Sequence, residues 1–448
     1  MAHALILGAS GISGWSLLNQ ARTYPTPTTF ARITGTTNRP LTLEQARLPA
    51  DDPRLALVSG IDFTKSVDEV AAALRDKVPD VETVSHVFYT GTYSSRESCM
   101  PCMRSRNGCV CVNVAYIDVD VSKGQAAAAA ANTELLAVAV KAVEKVSPRL
   151  AFVVLQTGGK GYGLMYPDKV TLRTPLREDA PRIPRPWADE VFYYTQHDLL
   201  RDLSRGKNWT FSEIRPDVIV GFAPTSNAMN MARGIGIYLS VWRRVFGTTT
   251  TGAGGLGSGN RVEVEVPFPG SLRSYRATHT DTNQDVLSKM EIFAAVVNPE
   301  GCGGGRAFNV ADGGAVISWS VVWPRLCERF GLIGVAPPPP PSSEAAIDAE
   351  AGTGTASGST APPPSMKDFI AEHDDAWVAL AREHGLDEGA AREYNWDFLH
   401  VMLVECDFDR EYDLTRVREV GFEEGVDTVE GYFVAWERMR SAKQLPTV

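Results

Sequence analysis

One stretch at the start of the chain narrows the folds open to it more than any other. "HALILGASGISGWSLL" runs from an apolar strand near residues 3–8, through a glycine-rich turn, into a helical pattern. The turn is Gly8-Ala9-Ser10-Gly11-Ile12-Ser13-Gly14. Glycines at these places permit a tight turn and let backbone N–H groups approach a pyrophosphate at a helix N-terminus. A bare glycine motif is weak evidence, but strand before and helix after is the context that makes it a dinucleotide cradle. Gly8, Ser10, Gly11, Ile12 and Gly14 are therefore candidate cofactor contacts.

The rest of the first half extends that pattern. Short apolar runs near 30–36, 55–58, 85–91, 150–157 and 210–215 read as strands, with helical patterns between most of them. The clearest helix is "QAAAAAANTELLAVAVKAVEKV", 125–146, whose alanine and leucine content favours helix throughout. Strand–helix alternation predicts an α/β fold: a Rossmann-type, doubly wound parallel sheet covered on both faces. Past about residue 225 the pattern loosens into what reads as a smaller, interwoven C-terminal lobe for the substrate. The expected organisation is a dinucleotide domain over 1–225, with an insertion at about 94–124, and a lobe over 226–335 and 366–448. Between the lobe segments, 336–365 is so rich in Pro, Ala, Gly and Ser that it is expected to be a disordered linker. A net charge of −10 argues against nucleic acid or an anionic membrane as partner. No run approaches the roughly 20 apolar residues of a membrane helix. The chain starts without a basic region ahead of its apolar stretch, so no signal peptide is expected, and its seven cysteines fit a reduced, cytoplasmic setting.

The second strand discriminates between dinucleotides. An acid about 20 residues after the glycine turn would hold the ribose hydroxyls of NAD. This chain has no Asp or Glu before Glu44; "GTTNRP" instead closes the strand with Asn38 and Arg39. A guanidinium there can pair with a 2′-phosphate, which favours NADP(H). Asp62 and Phe63 follow the third strand, where an Asp commonly meets the adenine amino group.

The candidate catalytic pair comes from a discrepancy. A phenol near pKa 10 needs a neighbouring cation to act as an acid or oxyanion donor near neutrality. Short-chain dehydrogenases, whose G-x-x-G-x-x-G spacing this turn has, supply a lysine four residues after the tyrosine. In "FYYTQHD", 192–198, those places hold His197 after Tyr193 and Asp198 after Tyr194, and no Tyr-x-x-x-Lys occurs anywhere. The substitute is Lys160 in "LQTGGKGYG", at the end of a strand that should face the cofactor crevice. The usual serine position is taken by Thr157, Gly158, Gly159 and Lys160.

Lys160 in "TGGK" and Tyr193 in "FYYTQHD" resemble the relocated pair of the progesterone 5β-reductase/iridoid synthase-like reductases, which are atypical extended short-chain dehydrogenases. Further similarity lies in "WTFSEIRPDVIVGFAP", "AFNVADGG" and "SWSVVWPRLCERFG". The resemblance covers most of the chain; it departs at Asn38, where the family has a first arginine, at 336–365 and at the cysteine-bearing insertion. It implies cofactor contacts at Ser10, Gly11 and Ile12, at Asn38 and Arg39, and at Asp62 and Phe63. It further implies Gly91 and Thr92, Gln156, and Ile219. Lys160 would bind the nicotinamide ribose, and Tyr193 would stand over the reacting carbonyl. The insertion carries Cys99, Cys102, Cys109 and Cys111, a CxxC and CxC that could offer thiolates to zinc. No flanking pattern supports a finger, and no metal is expected.

Three functions follow as expectations. The first is an NADPH-dependent reductase of activated C=C bonds, adding hydride to an enone or enal on a small hydrophobic metabolite, in keeping with secondary metabolism. The second is an NADP-dependent carbonyl reductase or epimerase of the extended type. The third is a non-catalytic NADP-binding regulator. Self-association as a homodimer is left open.

Overall fold

The structure is a computed structural model that describes residues 1–90, 103–105, 108–110, 125–225, 227, 229–247, 264–313, 316–339 and 365–447. Of 103–105, 108–110, 125 and 126 only the backbone is described. Most of the 94–124 insertion and of the proline-rich linker, 340–364, lies outside these residues.

The glycine turn joins β1 (Ala2–Leu7) to α1 (Ile12–Gln20). The chain continues through β2 (Phe30–Thr37), β3 (Leu55–Ser59), α2 (Val67–Lys77) and β4 (His86–Tyr89). A hairpin of β5 (Met103–Ser105) and β6 (Gly108–Val110) belongs to the insertion. Then come α3 (Gln125–Val146), β7 (Phe152–Gln156), α4 (Phe192–Ser204), β8 (Thr210–Pro216), β9 (Val218–Val220) and α5 (Met231–Phe246). One seven-stranded sheet is formed in the order Arg306–Val310, β8, β7, β4, β1, β2, β3, every pair parallel. The strand order reverses between β1 and β4, which opens a crevice at their C-terminal ends.

The alternation of side chains along each strand decides which face each residue serves. Leu5, Leu7, Val87, Val153 and Leu155 point into a core shared with Leu136, Val140 and Val143 of α3 and with Val70 and Leu74 of α2. Their neighbours Ala4, Ile6, Phe88, Phe152 and Val154 point the other way, onto Trp15 and Leu18 of α1 and Leu287 of the helix Gln284–Ile292. Ser66 starts α2 with a capping box to Glu69, and Asp68 and Glu69 in its first turn complement the helix dipole.

The seventh strand, Arg306–Val310, comes from beyond residue 225, so the sheet borrows an edge from the segment assigned to the lobe. The remaining C-terminal elements pack against α5 around the fully buried indoles of Trp323, Trp377 and Trp436. No helix among the described residues is long and apolar enough to cross a membrane.

Candidate active site

The crevice begins at the glycine turn. Gly8 has φ 97°, a conformation open to glycine at little cost. A Cβ on Gly14 would stand 2.3 Å from the Gly8 carbonyl oxygen, so α1 can approach the turn this closely only without a side chain there. Gly11 caps α1 with no side-chain hydrogen bond, and no acid occupies the first helical turn. The positive end of α1 therefore faces the crevice unneutralised from its own residues. Thr225 donates from Oγ1 to the Ser10 carbonyl at 3.3 Å, tying the segment after β9 to the turn.

At the end of β2, Asn38 and Arg39 are exposed. The Thr37 hydroxyl donates to the Arg39 carbonyl at 2.7 Å and fixes the bend that presents them. No acid among the described residues forms an ion pair with Arg39. Asp62 is half-buried, and its Oδ1 accepts from the Thr64 hydroxyl at 2.6 Å and the Thr64 N–H at 3.0 Å, which hold its carboxyl below the usual range. Phe63 packs on the edge of the α2–α3 core. Ile219 sits half-buried on β9. Gly91 and Thr92 lie outside the described residues, as do Cys99, Cys102 and Cys111; of Cys109 only the backbone is described.

Beside the crevice, β7 ends at Gln156, whose Oε1 is buried without a hydrogen-bond partner. The next residues form the turn Gly159–Tyr162, which carries Lys160. Lys160 is half-buried as a residue, but its ammonium end is packed into protein, and that desolvation lowers its pKa to about 8. Tyr193 enters from the first turn of α4 and is buried. Its hydroxyl lies 3.6 Å from where a Cβ on Gly158 would be, so the phenol rests on the lysine-bearing turn. The Tyr193 hydroxyl thus lies against Gly158, two residues before Lys160.

The other residues of the motif are committed elsewhere. The Tyr194 hydroxyl accepts from Ile183 N–H at 3.2 Å and donates to the Gly161 carbonyl. Asp198 takes both Arg182 nitrogens, at 2.7 and 2.8 Å. His197 turns its Nδ1 to Glu213 Oε2 at 2.8 Å. Thr157, at the usual serine position, is buried and donates its hydroxyl to Glu213 Oε1 at 2.7 Å.

Glu213 escaped the reading of the sequence, where an acid in "TFSEIRP" looks like an ordinary solvent-side residue of a strand. It is 3% exposed. Burial pushes its pKa up, but the adjacent Arg215 charge and hydrogen bonds from His197 and Arg215 outweigh that and hold it at about 2. Arg215 itself donates from Nη1 to the Tyr162 hydroxyl at 3.2 Å, and Tyr162 donates to Asn309 Oδ1 at 2.6 Å.

A doubly wound sheet with a glycine cradle at its reversal and a tyrosine set on a lysine turn defines an oxidoreductase of the short-chain dehydrogenase type. The model of the PRISE-like Rossmann-fold domain matches residues 4–99 and 111–446, and the chain belongs to that family. The break in the match, 100–110, falls inside the cysteine-bearing insertion. Among relatives, the short chain dehydrogenase sirQ of Leptosphaeria maculans is 33% identical over 451 residues, 100% of this chain and 98% of that protein. The 3-oxo-Delta(4,5)-steroid 5-beta-reductase of Arabidopsis thaliana is 25% identical over 99% of this chain and 93% of its own. Gre2 from Candida albicans superposes with a TM-score of 0.54 over 99% of both chains at 12% identity, which shows the shared fold.

Proposed function

We propose that the protein is an NADPH-dependent reductase of activated C=C bonds in a small hydrophobic enone or enal of secondary metabolism. The observation that carries this reading is the placement of the Tyr193 hydroxyl against the Lys160 turn while the Thr157 hydroxyl is spent on Glu213. A site for direct carbonyl reduction would want a second free hydroxyl beside the tyrosine, and the residue at that position is already donating to a carboxylate. The glycine cradle, the unpartnered Gln156 Oε1 and the exposed Arg39 all fit a dinucleotide phosphate lying across the crevice. In this reading Ser10, Gly11 and Ile12 hold the pyrophosphate, Asn38 and Arg39 the 2′-phosphate, Asp62 and Phe63 the adenine. Gln156, Lys160 and Ile219 line the nicotinamide end.

When bound, the reduced dinucleotide supplies the hydride that goes to the β-carbon. Negative charge then gathers on the carbonyl oxygen as an enolate. Tyr193 is the donor aimed at that oxygen, and a donor fixed where charge develops accelerates the step because it need not reorganise. Lys160 holds the ribose end, and its positive charge favours the ionised phenol. Tyr194 and Asp198 keep α4 in place. Two relatives support the reading in different ways: a fungal short chain dehydrogenase by overall likeness, a steroid reductase by a name that specifies a 3-oxo-Δ4,5 substrate. The test is NADPH consumption with a cyclic enone against the matching saturated ketone. Consumption with the enone alone is expected; consumption with the ketone alone would replace this reading with carbonyl reduction.

A further inference from the structure

Moving the lysine off the tyrosine's helix creates a mechanical problem. When both residues share a helix, their separation is set by helix geometry, since positions four apart lie on one face. Here Tyr193 rides on α4 and Lys160 on the turn after β7, so contacts made in the folded chain, and not helix geometry, must fix the distance between them. Glu213 stands on β8, which pairs with β7 and contacts α4.

We propose that Glu213 is a positioning residue for the reaction: it braces the lysine turn against the tyrosine helix, through Thr157 on one side and His197 on the other. The proposal rests on the roles given above to Tyr193 and Lys160. Each carboxylate oxygen takes one nitrogen of Arg215, Oε1 from Nε at 2.9 Å and Oε2 from Nη2 at 3.0 Å. That fork fixes the plane of the carboxylate. The remaining capacity of each oxygen is then spent on one arm, Oε1 on Thr157 and Oε2 on His197. Thr157 lies three residues before Lys160, and His197 lies one helical turn after Tyr193, on the same face of α4. His197 thereby fills the place an ordinary lysine would take, and uses it to dock the helix. An ionised carboxylate only accepts, so His197 Nδ1 must carry the hydrogen of that contact. The direct Tyr194–Gly161 bond closes the other side of the same frame.

The two arms make separable demands. Cutting the Thr157 arm loosens the lysine turn, which binds cofactor; cutting the His197 arm loosens the tyrosine helix, which serves the chemical step. The experiment uses the full chain with four variants: Thr157→Val and Thr157→Ser, His197→Leu and His197→Asn. NADPH affinity is read by fluorescence, turnover with a cyclic enone by absorbance, and stability by melting. Thr157→Val should weaken NADPH binding by about tenfold or more. His197→Leu should cut kcat by about 10–100-fold, the scale of a misplaced catalytic group, with NADPH affinity held within about twofold. Thr157→Ser and His197→Asn keep a donor and should stay within about threefold of the unmodified chain. Wild-type-like binding in Thr157→Val, wild-type-like kcat in His197→Leu, or equal losses of binding and kcat in both would overturn the brace. An unmodified chain that ignores every enone would sink the C=C reading instead, leaving the Thr157 binding arm to judge the brace by itself.

Discussion

Two adjacent tyrosines should fail in opposite ways when each loses only its hydroxyl. Tyr193→Phe keeps the ring that packs edge-to-face on Phe192 at 4.8 Å and removes the donor over the Lys160 turn. Loss of one oxyanion donor costs about 10²–10³ in kcat, or about 2.7–4 kcal/mol of barrier. Tyr194→Phe instead strands two groups, the Ile183 N–H and the Gly161 carbonyl. At about 1–3 kcal/mol for each buried group left unpaired, the loss is about 2–6 kcal/mol of stability. With an unfolding entropy near 2.1 cal/mol/K per residue, a chain of 448 residues changes by about 0.9 kcal/mol for each kelvin, so Tm should fall by about 2–6 °C. Tyr194→Phe should lower kcat by no more than about tenfold. Steady-state rates with saturating NADPH and enone, beside calorimetric melts, separate the two. An inactive but stable Tyr194→Phe together with an active Tyr193→Phe would refute the assignment of roles.

Arg39→Ala should weaken NADPH by about 1.5–3 kcal/mol and leave NADH alone, because on the proposed reading the guanidinium would pair with the 2′-phosphate, which NADH lacks; equal affinities for both dinucleotides in the unmodified protein would contradict this. Gly14→Ala places a methyl 2.3 Å from the Gly8 carbonyl oxygen, so backbone must shift; a loss of about 1–3 kcal/mol of stability and at least about tenfold in cofactor affinity is expected from melting and titration. Lys160 has a pKa lowered to about 8, so its protonated form is lost as pH rises through that value. NADPH-dependent kcat/KM should therefore decline above about pH 8 in the free enzyme, and Lys160→Arg, which stays charged, should remove that limb even if it lowers the plateau.

Much of this was legible in the chain, and the exceptions share a cause. Strand and helix limits such as Gln125–Val146 followed from local periodicity, because each element's own residues carry the pattern. The glycine cradle was legible for the same reason: its constraint is backbone geometry within seven residues. That Arg306–Val310 pairs with β8 is not legible in the chain, because β8 lies some ninety positions earlier and pairing over that distance leaves no local mark. Glu213 is the sharper case. Its partners Thr157, His197 and Arg215 come from a turn, a helix and its own strand, and only the packed sheet reveals that an acid amid apolar neighbours is a hub rather than a surface residue. His197 stands in the sequence where a lysine should be, but the contact it makes there is with Glu213, sixteen positions on, and no local pattern marks it.

The claim that hydride enters at the β-carbon rather than at the carbonyl carbon can be met directly. NADPH carrying deuterium at the transferred position of C4, incubated with the protein and a cyclic enone, should give a saturated ketone with one deuterium on the β-carbon, located by NMR. Deuterium on the hydroxyl-bearing carbon of an allylic alcohol would contradict the account, whatever the rates of the variants.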